Sequence, residues 1–182
     1  MGAVGASGGI LLYRIPGAPG RSGDLVMEIP TGGPGESAGR GHVRAVFGLA
    51  FSRSGLLASC GEDGTIRVWD VNGKEPRPLA VLSGHEGFVR RIAFLDEARI
   101  ASVGGVGDGS VRSWDWNARR ELFKAAPPPE SLAGEGAKAL AINALATSPD
   151  GRYVFIGREN GSLERYSGTD LSGGVILNPT EA

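Results

Sequence analysis

Short apolar runs alternate with polar, glycine-bearing turns along most of the chain. Val46-Phe47-Gly48-Leu49-Ala50-Phe51, Leu56 to Cys60, Thr65 to Trp69 and Leu79 to Leu82 are each four to six residues long. That length suits strands and is too short for helices. Asp63-Gly64 between two of them predicts a tight hairpin, because a type I′ turn needs positive φ at both central residues. The same order recurs at Val89–Phe94, Arg99–Val103, Ser110–Trp114 and Glu121–Lys124, with Asp108-Gly109 in the hairpin and a small insertion, Gly104-Gly105-Val106, before it. It recurs again, eroded, at Ile142–Ala146, Tyr153–Ile156, Ser162–Tyr166 and Gly174–Leu177, with Asn160-Gly161 as the turn. Near the start, Ala3–Ala6, Ile10–Ile15 and Leu25–Ile29 read as second, third and outer strands with no innermost strand before them. The 31 glycines and 11 prolines fit many short strands joined by turns. The expected class is all-β.

Two of these units are also alike letter by letter. Gly-His-x₃-Val-x₂-(Leu/Ile)-Ala-Phe runs over 41–51 and again over 84–94, and Trp-Asp closes each unit at 69–70 and 114–115. His42 and His85 lie 43 residues apart, Trp69 and Trp114 lie 45 apart. On these residues the chain resembles the WD-repeat β-propeller family. The resemblance implies an arc of four-stranded antiparallel blades, about 3.75 of them, hence an incomplete propeller. The units are a partial blade at 1–30, blades at 41–83 and 84–125, and a degenerate blade at 137–178. It further implies a structural hydrogen-bond tetrad in each good blade: His42, Ser59, Asp63 and Trp69 in one, and His85, Ser102, Asp108 and Trp114 in the other. Because this His/Asp/Ser set occurs twice at the blade period, it reads as structural and not as a nucleophile triad. The third full unit has no Gly-His, and Tyr166 stands in the tryptophan place. Its pinning is expected to be weaker, with more motion around 125–140.

Composition narrows the function. Nineteen basic against 20 acidic residues give a net charge of −1, which offers no basic footprint for nucleic acid. The single cysteine, Cys60, excludes an intramolecular disulfide and a cysteine-based zinc site. No apolar run reaches membrane-spanning length. No cofactor, metal, nucleic-acid or membrane partner is expected, and the expected location is cytoplasmic. The leading expectation is a non-catalytic scaffold or regulatory module that binds other proteins. The alternative is the C-terminal sensor segment of a larger enzyme, such as a bacterial protein kinase. A second copy of the chain, or missing blades of the same propeller, are further possible partners. The candidate contacts, at strand starts and hairpins on the face that carries the long connections 31–41 and 125–138, are Arg44, Glu62, Phe88, Arg90, Arg158 and Glu159.

Overall fold

The computed structural model describes residues 2–6, 8–14, 23–33, 41–105, 107–126, 132–133 and 138–177. Every regular element in it is a strand. The first sheet has three strands in the order β1 (Gly2–Ala6), β2 (Gly9–Arg14), β3 (Asp24–Ile29). The second has β4 (Val46–Phe51), β5 (Leu56–Gly61), β6 (Thr65–Asp70) and β7 (Arg77–Ser83). The third has β8 (Val89–Phe94), β9 (Arg99–Gly104), β10 (Val111–Asp115) and β11 (Arg120–Ala125). After the small pair β12 (Leu132–Ala133) and β13 (Lys138–Ala139), the fourth sheet has β14 (Ile142–Thr147), β15 (Tyr153–Arg158), β16 (Leu163–Ser167) and β17 (Val175–Ile176). Every pairing is antiparallel between chain neighbours, as expected for blades joined by hairpins. The four sheets form an open arc.

The arc is held by three apolar seams. Ile10, Leu12, Met27 and Ile29 of the first sheet pack on Leu57 and Trp69 of the second. Ala58, Cys60, Ile66, Val68 and Leu82 of the second meet Val89, Ile92 and Trp114 of the third. Ala101, Val103 and Val111 of the third meet Ile142, Val154, Ile156 and Tyr166 of the fourth. Each large aromatic therefore faces back onto the small aliphatic face of the sheet before it. This explains why β5 and β9 are buried along almost their whole length, whereas β15 alternates buried and open positions. A sheet flanked on both sides hides both faces, and one flanked on one side hides every second residue.

One irregularity repeats. Between Val46 and Gly48, between Val89 and Arg91, and between Ile142 and Ala144, the inner strand slips by one residue against its neighbour. Phe47, Arg90 and Asn143 are the extra residues. A bulge turns its extra side chain out of the ladder, so the three inner strands present these side chains at the same level. The long connections 31–41 and 125–138 lie largely outside the described residues, as does Val106. The mobility expected around 125–140 falls mostly there too. The part of 125–138 that is described departs from a plain loop, because β12 and β13 pair through Leu132–Ala139 and Ala133–Lys138.

Candidate functional site: a rim held by buried relays

His42 and His85 sit in the segments that lead into the second and third sheets. In the second sheet the indole Nε1 of Trp69 donates to Ser59 Oγ at 3.1 Å, and Ser59 Oγ lies 2.8 Å from His42 Nε2. His42 Nδ1 lies 2.9 Å from Asp63 Oδ1. A hydroxyl that accepts from the indole donates onward, so Nε2 is the acceptor and Nδ1 carries the hydrogen given to Asp63. Asp63 also accepts from Thr65 Oγ1 at 2.8 Å and from the amides of Thr65 and Val43 at 3.1 and 3.2 Å. Burial on its own raises the Asp63 carboxyl, but the hydrogen bonds from His42 and Thr65 outweigh it. The carboxyl is held well below the usual carboxylate range.

The third sheet repeats the chain. Trp114 Nε1 donates to Ser102 Oγ at 2.7 Å, Ser102 Oγ meets His85 Nε2 at 2.7 Å, and His85 Nδ1 bonds Asp108. Asp108 is also depressed. Burial raises it, while His85, Ser110 and the nearby Arg112 charge lower it further. The structure thus brings together the eight residues of the two expected sets, one set of four at the second sheet and one at the third.

The fourth sheet uses other chemistry, and sequence reasoning missed it. Arg158 grips Glu164 with two bonds, Nε to Oε1 at 2.6 Å and Nη2 to Oε2 at 3.2 Å. Tyr166 donates its hydroxyl to Glu164 Oε2 at 2.7 Å, and burial together with that carboxylate raises the phenol. Arg158 Nη1 reaches the Leu140 carbonyl at 2.8 Å, so it ties the incoming segment to the sheet as His42 and His85 do elsewhere. One expectation is corrected here: Arg158 is not a surface contact, because its side chain is fully buried against Glu164. The third full unit, expected to be pinned more weakly, has this cluster in place of a histidine relay. The space explains the exchange. Arg158 occupies the register position of Gly61 and Gly104. A Cβ on Gly61 would lie 2.4 Å from the Ala45 carbonyl oxygen and 3.3 Å from His42 Nδ1, and one on Gly104 would lie 2.4 Å from Asp108. Where histidine is present the position must be glycine, and where it is absent a long cation fills the gap.

These relays fix the rim above them. Phe47, which sequence reasoning passed over, is 37% exposed and meets Phe88 edge to face at 5.5 Å. Phe88 in turn lies against Gly105, where a Cβ would overlap its ring. Arg90 donates from Nη2 to Asn143 Oδ1 at 3.3 Å, and Arg91 donates from Nη1 to the Phe47 carbonyl at 3.0 Å. Arg44 and Glu62 form an exposed pair at 3.2 Å nearby. Glu159 is exposed, and its carboxylate accepts the Ala141 amide at 3.2 Å. A cleft of about 330 Å³ opens between the turn at Glu62–Thr65 and the segment Ser83–Phe88. Among the described residues, no group of three or more His, Cys, Asp or Glu side chains is arranged to hold a metal ion.

The geometry defines an open arc of propeller-type blades whose sheets are pinned by buried polar relays. The chain carries WD repeats in two segments: the family described as "WD domain, G-beta repeat" matches residues 36–70 and 76–115. It is similar to a "Guanine nucleotide-binding protein subunit beta" of Oryza sativa subsp. japonica, 28% identical over 140 residues, which is 76% of this chain and 35% of that protein. It is also similar to "WD repeat-containing protein 90" of Homo sapiens, 30% identical over 132 residues, or 72% of this chain and 7% of that protein. A third relative is "Cell division cycle 20.6, cofactor of APC complex" of Arabidopsis thaliana, 35% identical over 82 residues, covering 41% of this chain and 19% of that protein. The chain spans about a third or less of the length of these relatives.

Proposed function

We propose that this chain is a non-catalytic module that binds other proteins through the rim centred on Phe47, Phe88, Arg90 and Asn143, flanked by Arg44, Glu62 and Glu159. The observation that carries this reading is the repeated bulge. Three successive inner strands each give up one ladder position at the same level, and the side chains released are a phenylalanine, an arginine and an asparagine. Aromatic and arginine side chains dominate the energy of protein interfaces, because they desolvate a large area while keeping one polar handle. The charged pair Arg44–Glu62 at the edge contributes little energy and tunes specificity and encounter. A relative described as a "cofactor of APC complex" is compatible with such a role. Catalysis is not part of the proposal. Both ring nitrogens of each histidine are engaged, and each nearby serine hydroxyl is committed between an indole and an imidazole.

Affinity capture from a cell lysate tests the reading, with intact chain as bait against a Phe47→Ala/Phe88→Ala/Arg90→Ala variant and an Arg77→Ala control. Arg77 pairs with Asp70 at the opposite rim. The expected result is a set of proteins retained by wild type and by the control and lost by the folded triple variant. Equal capture by all three baits overturns the rim assignment.

A further inference from the structure

Among the described residues, the two ends of the arc carry sheet faces that no neighbouring sheet packs against. On the fourth sheet, Tyr153, Leu163 and Val175 are 39%, 42% and 46% exposed, and Arg165 stands among them with its guanidinium 5.2 Å from the Tyr153 ring centre. Their register equivalents in the second sheet are Leu56, which is half-buried, and Ile66 and Ala80, which are buried in the seam with the third sheet. On the first sheet, Ile10, Leu12, Met27 and Ile29 point to the second sheet, so Leu11, Tyr13, Leu25 and Glu28 point the other way. Leu25 is 53% exposed and Glu28 is open to solvent. Tyr13 occupies the position from which Trp69, Trp114 and Tyr166 each pack back onto the preceding sheet. The first sheet therefore offers the aromatic half of a seam, and the fourth offers the aliphatic half.

We propose that a second copy of the chain covers these faces. The fourth sheet of each copy packs on the first sheet of the other, with Tyr13 against Leu163 and Val175, and Arg165 on the side that meets Glu28. The faces are opposite in charge as well as matched in kind, since one carries the arginine and the other a glutamate. Every seam already in the molecule joins sheets in this same direction, so the new contact continues an arrangement repeated three times. Two four-sheet arcs joined head to tail at both ends make a ring of eight sheets, inside the range of about four to eight blades in which propellers close. A ring of two copies has one two-fold axis and leaves no face of either kind over. The proposal is independent of the rim described above.

Light scattering coupled to size-exclusion chromatography on the full chain, at about 100 μM, tests it. The expected mass is twice the 18.8 kDa of one chain. Leu163→Asp and Leu25→Asp, each checked for native far-ultraviolet circular dichroism, should each elute at the mass of one chain. Glu28→Arg and Arg165→Glu should each loosen the dimer at least tenfold, and the double variant should restore it. Wild type at the mass of one chain overturns the proposal. So does a mass that grows without limit with concentration, which means open filaments, and so does a double variant that stays dissociated.

Discussion

At the scale of single residues, the relays decide what each position tolerates. His85 bonds both the buried Ser102 hydroxyl and the Asp108 carboxylate, whose side chain is almost wholly hidden, so His85→Ala removes one partner from each at once. The expected loss is about 1–3 kcal/mol, read as a lower urea midpoint at unchanged slope. An unchanged midpoint would show that the relay is not structural. Gly61 predicts the converse defect: the added methyl of Gly61→Ala meets the Ala45 carbonyl, and overpacking of this kind costs about 1–3 kcal/mol. The histidine relays were legible in the sequence because they repeat at a fixed spacing, and repetition separates a structural set from a single site. The Arg158 cluster was harder to read. An arginine beside a hairpin looks solvent-exposed in one dimension, and what buries it is the cavity left when the histidine is lost. The signal was present nonetheless, since the third full unit exchanges histidine for another residue and glycine for arginine together.

At the scale of elements, two kinds of bond fasten sheets to their incoming segments: a histidine relay in the second and third, and the Arg158–Glu164 cluster in the fourth. Asp63 and Asp108 are both depressed in the fold, so the unfolded chain takes up protons first as pH falls. Their contribution is complete above the unfolded carboxylate value of about 4 and is lost as pH drops below it towards the folded values. Urea midpoints measured between pH 7 and pH 2 should therefore hold steady to about pH 4 and then fall. Asp63→Asn should lower the plateau and flatten the fall, and an equally steep fall in that variant would remove Asp63 as a cause. The fourth sheet predicts a larger single-site effect: Arg158→Met leaves Glu164 buried without its cation, at a cost of about 3–5 kcal/mol. The strands themselves were readable from apolar runs and Asp-Gly or Asn-Gly turns. The bulges at Phe47, Arg90 and Asn143 were not, because a bulge is a mismatch of register between two strands and no single strand's composition records it.

At the scale of the whole molecule, stability follows from neighbours. The apolar seams join each sheet only to the sheets beside it, and a bond that skips a sheet, from Arg53 to the Pro149 carbonyl, lies in exposed turns, so stability is close to a sum of sheet terms and seam terms. The second and third sheets have a seam on each side, and the first and fourth have one. Opening an end sheet breaks one seam, whereas opening a middle sheet breaks two. Backbone amides of β5 and β9 should therefore exchange with deuterium more slowly than those of β15 when copies are dilute and separate. Raising the concentration into the range where two copies join adds a seam to the fourth sheet. The amides of β15 and β16 should then slow towards the rates of β5 and β9, while those of the second sheet stay as they were. Protection of β15 that is already equal at high dilution contradicts the nearest-neighbour account. Protection that never rises with concentration contradicts the paired ring and leaves the seam account standing.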